Sequence, residues 1–199
     1  MTAAAAPLLD ARLALPDGHL MVPAGAIVEI PDDPRYVAAL VGRADRGQRH
    51  RVALAGRRLD RLGPAARVRA GLAAVSGTEV AQDVSVGDHL AAITGRRRAE
   101  AALGEVPLLA GRGQDPAGLL SGGERRVLAW LVAVATAPRA VVLDRAGTGL
   151  DPAALEWAHS TLDAWLDRGV AVVIRVGRTQ EHAWIERTAD GTPRDAASA

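Results

Sequence analysis

Three segments decide the reading of this chain: Leu120-Ser121-Gly122-Gly123-Glu124-Arg125-Arg126, then Ala140-Val141-Val142-Leu143-Asp144, then Thr148-Gly149-Leu150-Asp151-Pro152. Between the first two, Glu124 to Thr136 is strongly apolar and predicts a helix buried on most sides. Ala140 to Leu143 is a short apolar run, as a buried strand requires. Asp151 can cap a helix whose first position is Pro152, where a missing N–H costs nothing. Leu155, Leu162, Trp165 and Leu166 then recur on one face, and Gly169 ends the helix. Val170 to Val176 reads as a further buried strand. Strand, helix and strand in this order predict a parallel sheet covered by helices.

The same alternation extends toward the N-terminus. Ala26 to Ile30 predicts a strand, and after Pro31-Asp32-Asp33-Pro34 a short helix runs over about Arg35 to Val41. Arg51 to Ala55 and Leu72 to Val75 predict two more strands. Ser85 to Thr94 reads as a helix, with Ser85 as cap and Asp88 three residues on. Gly95 to Gly113 is rich in Ala, Arg and Gly, with helical patches and a loop. The whole reads as one α/β domain with parallel strands over residues 1–187, with a helical portion at roughly 78–126. A small, polar, fraying tail follows over 188–199.

Composition narrows the function. The chain has 199 residues, 49% of them hydrophobic, and a formal net charge of +1, so no strong pull toward nucleic acid or a membrane surface follows. Arg96-Arg97-Arg98 reads as a solvated helix face rather than a nucleic-acid patch. Cysteine is absent, which excludes disulfides and thiolate metal sites. No apolar run approaches the roughly 20 residues of a membrane span, and Met1 to Ala6 lacks the features of a signal peptide. The expected location is cytoplasmic, with membrane association only through partners.

From Leu120 to Asp151 the chain resembles the nucleotide-binding domain of ATP-binding cassette (ABC) transporters. Leu120 to Glu124 matches the family signature, Val141 to Asp144 the Walker B strand with its metal-associated aspartate, and Gly149 to Pro152 the D-loop, in the family's order and spacing. Weaker similarity covers nearly the whole chain. Val22 to Val28 looks like the approach to a P-loop, and Asp83 to Leu90 like the segment after a Q-loop. Gly63 to Val75 with that segment is similar to branched-chain amino-acid importer ATPases. The resemblance implies a RecA-like P-loop NTPase core plus a small helical subdomain. It also implies a head-to-tail dimer with two ATP molecules at its interface. In that arrangement Ser121, Gly122, Gly123 and Glu124 face ATP held by the partner, and Asp151 lies at the dimer interface. A serine hydroxyl, bare backbone at two glycines and a helix N-terminus suit an anion. Read without the family, the same residues are a glycine-rich helix start with a serine cap.

The chain departs from the family where a subunit would grip its own nucleotide. It contains no lysine, and a P-loop needs one to reach the β- and γ-phosphates. Pro31-Asp32-Asp33-Pro34-Arg35 stands in the place of the glycine-rich loop. Its prolines lack N–H donors, Asp33 reads as a helix cap, and both aspartates would repel a triphosphate. Arg35 is a weak substitute for the lysine. Arg145 follows Asp144 where the family carries a glutamate, and arginine is no general base at neutral pH. The Q-loop glutamine falls near Ser76-Gly77. The switch histidine falls near Gly177-Arg178, with His182 as a displaced alternative. Asp144 then reads as a buried strand-end carboxylate rather than a metal ligand.

The expectation is a catalytically degenerate ABC subunit with no ATPase activity of its own. It would pair with an intact ABC ATPase, add its signature to that partner's ATP and Mg site, and couple to membrane permease subunits through the helical portion around Thr78 to Val86. Two alternatives stand beside it: an ABC ATPase with an atypical P-loop that still binds or hydrolyses ATP, and a scaffold or interaction protein that keeps the fold outside transport.

Overall fold

Apolar strands of alternating facing build the centre of the molecule. The computed structural model describes residues 7–45, 47–76 and 80–176. Gly77, Thr78, Gly177, Arg178, His182 and the tail at 188–199 lie outside the described residues.

A parallel sheet runs in the order β3 (Ile27–Ile30), β8 (Ala171–Arg175), β7 (Ala140–Asp144) and β6 (Leu72–Val75). Every pair in it is parallel, and β7 and β8 are buried almost end to end. Side chains that alternate along a strand face opposite layers. Val141, Leu143, Val172 and Ile174 point into one core, with α5 (Gly122–Ala135) and α6 (Pro152–Asp167). Ala140, Val142, Ala171 and Val173 point into a second, with α1 (Pro34–Val41). A sheet covered on both faces needs such continuous apolar strands, which is why those runs were legible in the sequence.

The second core is closed by an antiparallel sheet that the sequence did not announce. Its order is β2 (His19–Val22), β1 (Leu9–Arg12), β4 (Arg51–Leu54) and β5 (Arg57–Arg58). The strand expected over Arg51 to Ala55 forms, but here, paired with β1 in antiparallel register, and not in the parallel core. Sheet membership depends on a partner far along the chain, and period alone does not carry it. Tyr36 of α1 is buried and donates its hydroxyl to the Pro16 carbonyl of the β1–β2 turn, tying helix to hairpin.

The helix α2 (Pro64–Arg69) also went unforeseen. Its Arg67 is 3% exposed and donates to the carbonyls of Ala39, Leu40 and Leu62 at 2.8, 2.5 and 3.0 Å. An arginine here does the work of a helix C-cap, satisfying carbonyls at the end of α1. Gly42 ends that helix at φ 82°, and a Cβ there would meet Arg67 Nε at 2.8 Å.

The helical portion contains α3 (Val86–Thr94), α4 (Arg96–Gly104) and two short 3-10 turns at Pro107–Leu109 and Ala117–Leu119. Ser85 caps α3 as expected, accepting from the Asp88 N–H at 3.1 Å. Arg96, Arg97 and Arg98 are exposed on α4, as a solvated face should be. No helix among the described residues is long and apolar enough to cross a membrane.

Candidate functional site

Parallel register brings the ends of β3, β8 and β7 level. Ile30 pairs with Arg175, and Arg175 with Asp144. The residues that follow β3 and β7, Pro31-Asp32 and Arg145, therefore emerge beside one another at the carboxyl edge, where open α/β sheets hold ligands. Here that edge carries an alternating chain of charge. Arg145 Nη2 reaches both oxygens of Asp32 at 2.8 and 2.9 Å. Arg175 Nη1 reaches the same Asp32 Oδ1 at 2.6 Å. The other edge of Arg175 holds Asp144, with Nε at 2.7 Å and Nη2 at 2.6 Å from Oδ1. Arg175 is buried at the end of an apolar strand, where an unpaired charge would be costly. The hydrogen bond from Arg145, joined by Arg175 and opposed by partial burial, holds the Asp32 carboxyl below its ordinary range.

The turn itself is tight. The Asp33 N–H returns to the Pro31 carbonyl at 2.6 Å, and the Tyr36 N–H donates to the Asp33 carbonyl at 3.2 Å. Asp33 caps α1, accepting from the Arg35 N–H at 2.9 Å and from Arg35 Nε at 2.8 Å. Pro31 and Pro34 have no N–H to offer. The N–H groups of Asp33, Arg35 and Tyr36 are spent within the turn, and a carboxylate occupies the space before the helix. Asp144 faces a guanidinium, and Arg35, the weak lysine substitute of the sequence reading, is turned onto Asp33.

The second cluster lies at the start of α5. Ser121 and Gly122 are exposed. Ser121 is the N-cap: its Oγ accepts from the Glu124 N–H at 3.2 Å, while its own N–H donates to Glu124 Oε2 at 2.7 Å. This reciprocal pair is a capping box. Accepting one bond leaves the serine its proton to donate. Glu124 also receives Arg112 Nη1 on Oε1 at 2.6 Å, and Arg112 Nε holds Asp115 at 2.8 Å. Donation by the Ser121 backbone N–H, with the Ser121 side chain and Arg112 behind it, keeps the Glu124 carboxyl below its usual range against the effect of burial. Both Glu124 oxygens are thus used inside the chain. Its place is support for Ser121, and it is not turned outward toward an anion.

Ser121, Gly123 and Glu124 share a small cleft with Leu108, Gly149, Leu150 and Asp151. Arg126 donates to the Thr148 carbonyl, fastening the 148–151 loop to α5. Asp151 caps α6, accepting from the Ala154 N–H at 2.9 Å. The structure thus joins Ser121, Gly123, Glu124 and Asp151 in one surface, with Gly122 open beside them. Trp130 connects the two clusters: its indole donates to the Ala146 carbonyl at 3.1 Å, one residue past Arg145.

Arg175, Arg112 and Arg126 were not singled out from the sequence. For Arg175 there was a signal: a charged residue closing the run Ala171-Val172-Val173-Ile174 demands a buried carboxylate, and Asp144 was the candidate. Arg112 and Arg126 gave none, because arginine is frequent throughout this chain.

No family model and no curated protein matches the sequence. Solved structures do match. A nucleotide-free ATP-binding cassette from an ABC transporter superposes with a TM-score of 0.65 over 86% of this chain and 81% of its own, at 17% identity. The chain has the ATP-binding cassette fold. An ATP-binding subunit of an ABC transporter gives 0.68 over 91% of this chain and 82% of its own, at 19% identity. A bacterial ABC exporter with ATP bound gives 0.67 over 94% of this chain and 36% of its own, at 18% identity. In this cassette fold the first cluster stands at the carboxyl edge of the parallel sheet and the second at the start of α5.

Proposed function

We propose that this chain is an ABC-type subunit that holds no ATP of its own and completes the ATP site of an intact partner. One observation carries the reading: the chain's own strand ends are closed by Arg145, Asp32, Arg175 and Asp144, while Ser121 and Gly122 stay exposed on a well-braced helix start. What a subunit would use for itself is consumed internally, and what it would present to a neighbour is kept.

In this reading the partner supplies the phosphate-binding lysine, the magnesium ion and the catalytic base. This chain supplies the Ser121 hydroxyl and the N-terminus of α5, whose dipole favours an anion. Gly149 and Asp151 line the same small cleft. The pair would sit on membrane permease subunits at the inner face of the cell membrane. An ATP-binding cassette has been seen as a dimer in a post-hydrolysis state, which supports pairing as a mode open to the fold.

Two measurements test the proposal. The pure chain titrated with Mg-ATP gives no saturable binding and no hydrolysis. In the complex isolated from native membranes, Ser121→Arg removes most of the ATPase activity while assembly persists. Hydrolysis by the isolated chain that is lost on Asp144→Ala would overturn it.

A further inference from the structure

Two guanidiniums meet at a single oxygen of Asp32: Arg145 Nη2 at 2.8 Å and Arg175 Nη1 at 2.6 Å from Oδ1. Arg175 does not depend on Asp32 for its position. Arg175 is anchored on Asp144 by two nitrogens and its side chain is 9% exposed. Arg145 takes φ 49°, a conformation rare for a residue with a side chain, and its N–H is fixed on the Arg175 carbonyl at 2.9 Å. Backbone held in so sparse a region is concentrated at functional sites and ligand clamps. Converging guanidiniums on rigid strand ends are the arrangement that recognises phosphate and carboxylate groups. The Asp32 and Arg145 side chains are 30% and 46% exposed, so a small solute can reach the position.

We propose that Arg145 and Arg175 form an oxyanion clamp, and that Asp32 is a tethered anion that occupies it and shuts out free phosphate. The three carboxylates Asp32, Asp33 and Asp144 are matched there by Arg35, Arg145 and Arg175. Removing Asp32 takes away the carboxylate on which the two guanidiniums converge. Asp33 does not fill the gap, because it caps α1 and is held by Arg35. The ligand class is a phosphoryl or sulfate oxyanion. The proposal goes beyond the function above, since it concerns what this edge can hold once Asp32 is gone and needs no partner.

The test is Asp32→Ala in the full chain, titrated calorimetrically with inorganic phosphate against chloride at matched ionic strength. The wild-type chain shows no saturable phosphate binding. The variant gains it, with an affinity about tenfold or more above any wild-type value, and its melting temperature rises with phosphate. Adding Arg145→Gln to the variant removes the gain. ADP that displaces phosphate from the variant marks a nucleotide phosphoryl as a second source for the clamp; ADP without effect confines it to the inorganic ion. Should the alanine variant not fold, Asp32→Asn keeps one acceptor and gains weaker but still saturable binding. Absence of saturable phosphate binding in the folded variants, or equal binding by the wild-type chain, overturns the proposal. Mg-ATP titration of the wild-type chain judges the function above separately.

Discussion

Gly123 packs against the carbonyl of Gly149 so closely that a Cβ on Gly123 would lie 2.4 Å from that oxygen. The contact is backbone to backbone, and Arg126 holds the same loop through the Thr148 carbonyl, so neither side gives way cheaply. At Gly122, one residue earlier, a Cβ meets nothing within 4 Å. Gly123→Ala is therefore expected to cost about 1–3 kcal/mol through overpacking. Gly122→Ala is expected to be neutral or to stabilise by up to about 1 kcal/mol, since alanine restricts the unfolded chain. Chemical denaturation of the two variants checks this; equal behaviour would mean that the α5 start and the 148–151 loop do not pack as described.

Arg67 carries a second separable prediction. Its guanidinium serves three carbonyls at once and is desolvated, and that burial lowers its pKa. Arg67→Ala strands buried acceptors at the end of α1, an expected loss of about 3 kcal/mol, or a drop of roughly 6–12 °C in melting temperature at this size. Arg67→Lys recovers little, because a single ammonium lacks the planar fork that reaches Ala39, Leu40 and Leu62 together. A lysine variant with wild-type stability would show that charge alone is what the site needs.

Removing the capping hydroxyl at Ser121 should separate stability from presentation. Ser121→Ala loses the bond from the Glu124 N–H and costs about 1 kcal/mol. Ser121→Asp keeps the cap and adds a negative charge at an exposed helix start, so it is expected to fold at least as stably as wild type. In the assembled complex it should nonetheless depress ATPase activity, since a carboxylate there opposes a phosphate. A variant that is stable and fully active in the complex would remove Ser121 from the proposed surface.

How far the sequence carried these arguments depends on how local each signal was. The strands Leu72–Val75 and Ala140–Asp144, the caps at Ser85, Asp33 and Asp151, and the helix from Gly122 are written within a few neighbouring residues, and each forms at or within two residues of its expected place. The β1–β2 hairpin and the transfer of β4 to an antiparallel sheet rest on pairing with distant residues, which no short window contains. The same limit applies to the site. Ser121, Gly123 and Asp151, which line one cleft, lie in two short segments that can be read without knowing the fold. The link between Asp32 and Arg175 spans most of the chain, and only the parallel register of β3 with β8 reveals it.

Acid should destabilise the protein in two steps, because two kinds of group are held away from protonation. His50 Nδ1 accepts the Ala14 N–H at 3.1 Å, and its Nε2 lies 3.0 Å from Gln48 Oε1, which fixes a neutral ring. Burial, helped by nearby Arg67, lowers the His50 pKa. A folded state that resists protonating a histidine loses stability as pH falls below the unfolded value of about 6.5. Asp32, Asp33 and Glu124 are carboxyls with lowered pKa values, through Arg145, Arg35 and the Ser121 N–H respectively. Their contribution is complete above the unfolded carboxyl value of about 4 and is lost as pH falls through the lower folded values. The melting temperature is thus expected to fall gently from about pH 6.5, then more steeply below about pH 4. His50→Gln should flatten the first step and leave the second. Asp32→Asn should weaken the second alone, and a first step that survives His50→Gln unchanged would place its origin in another group.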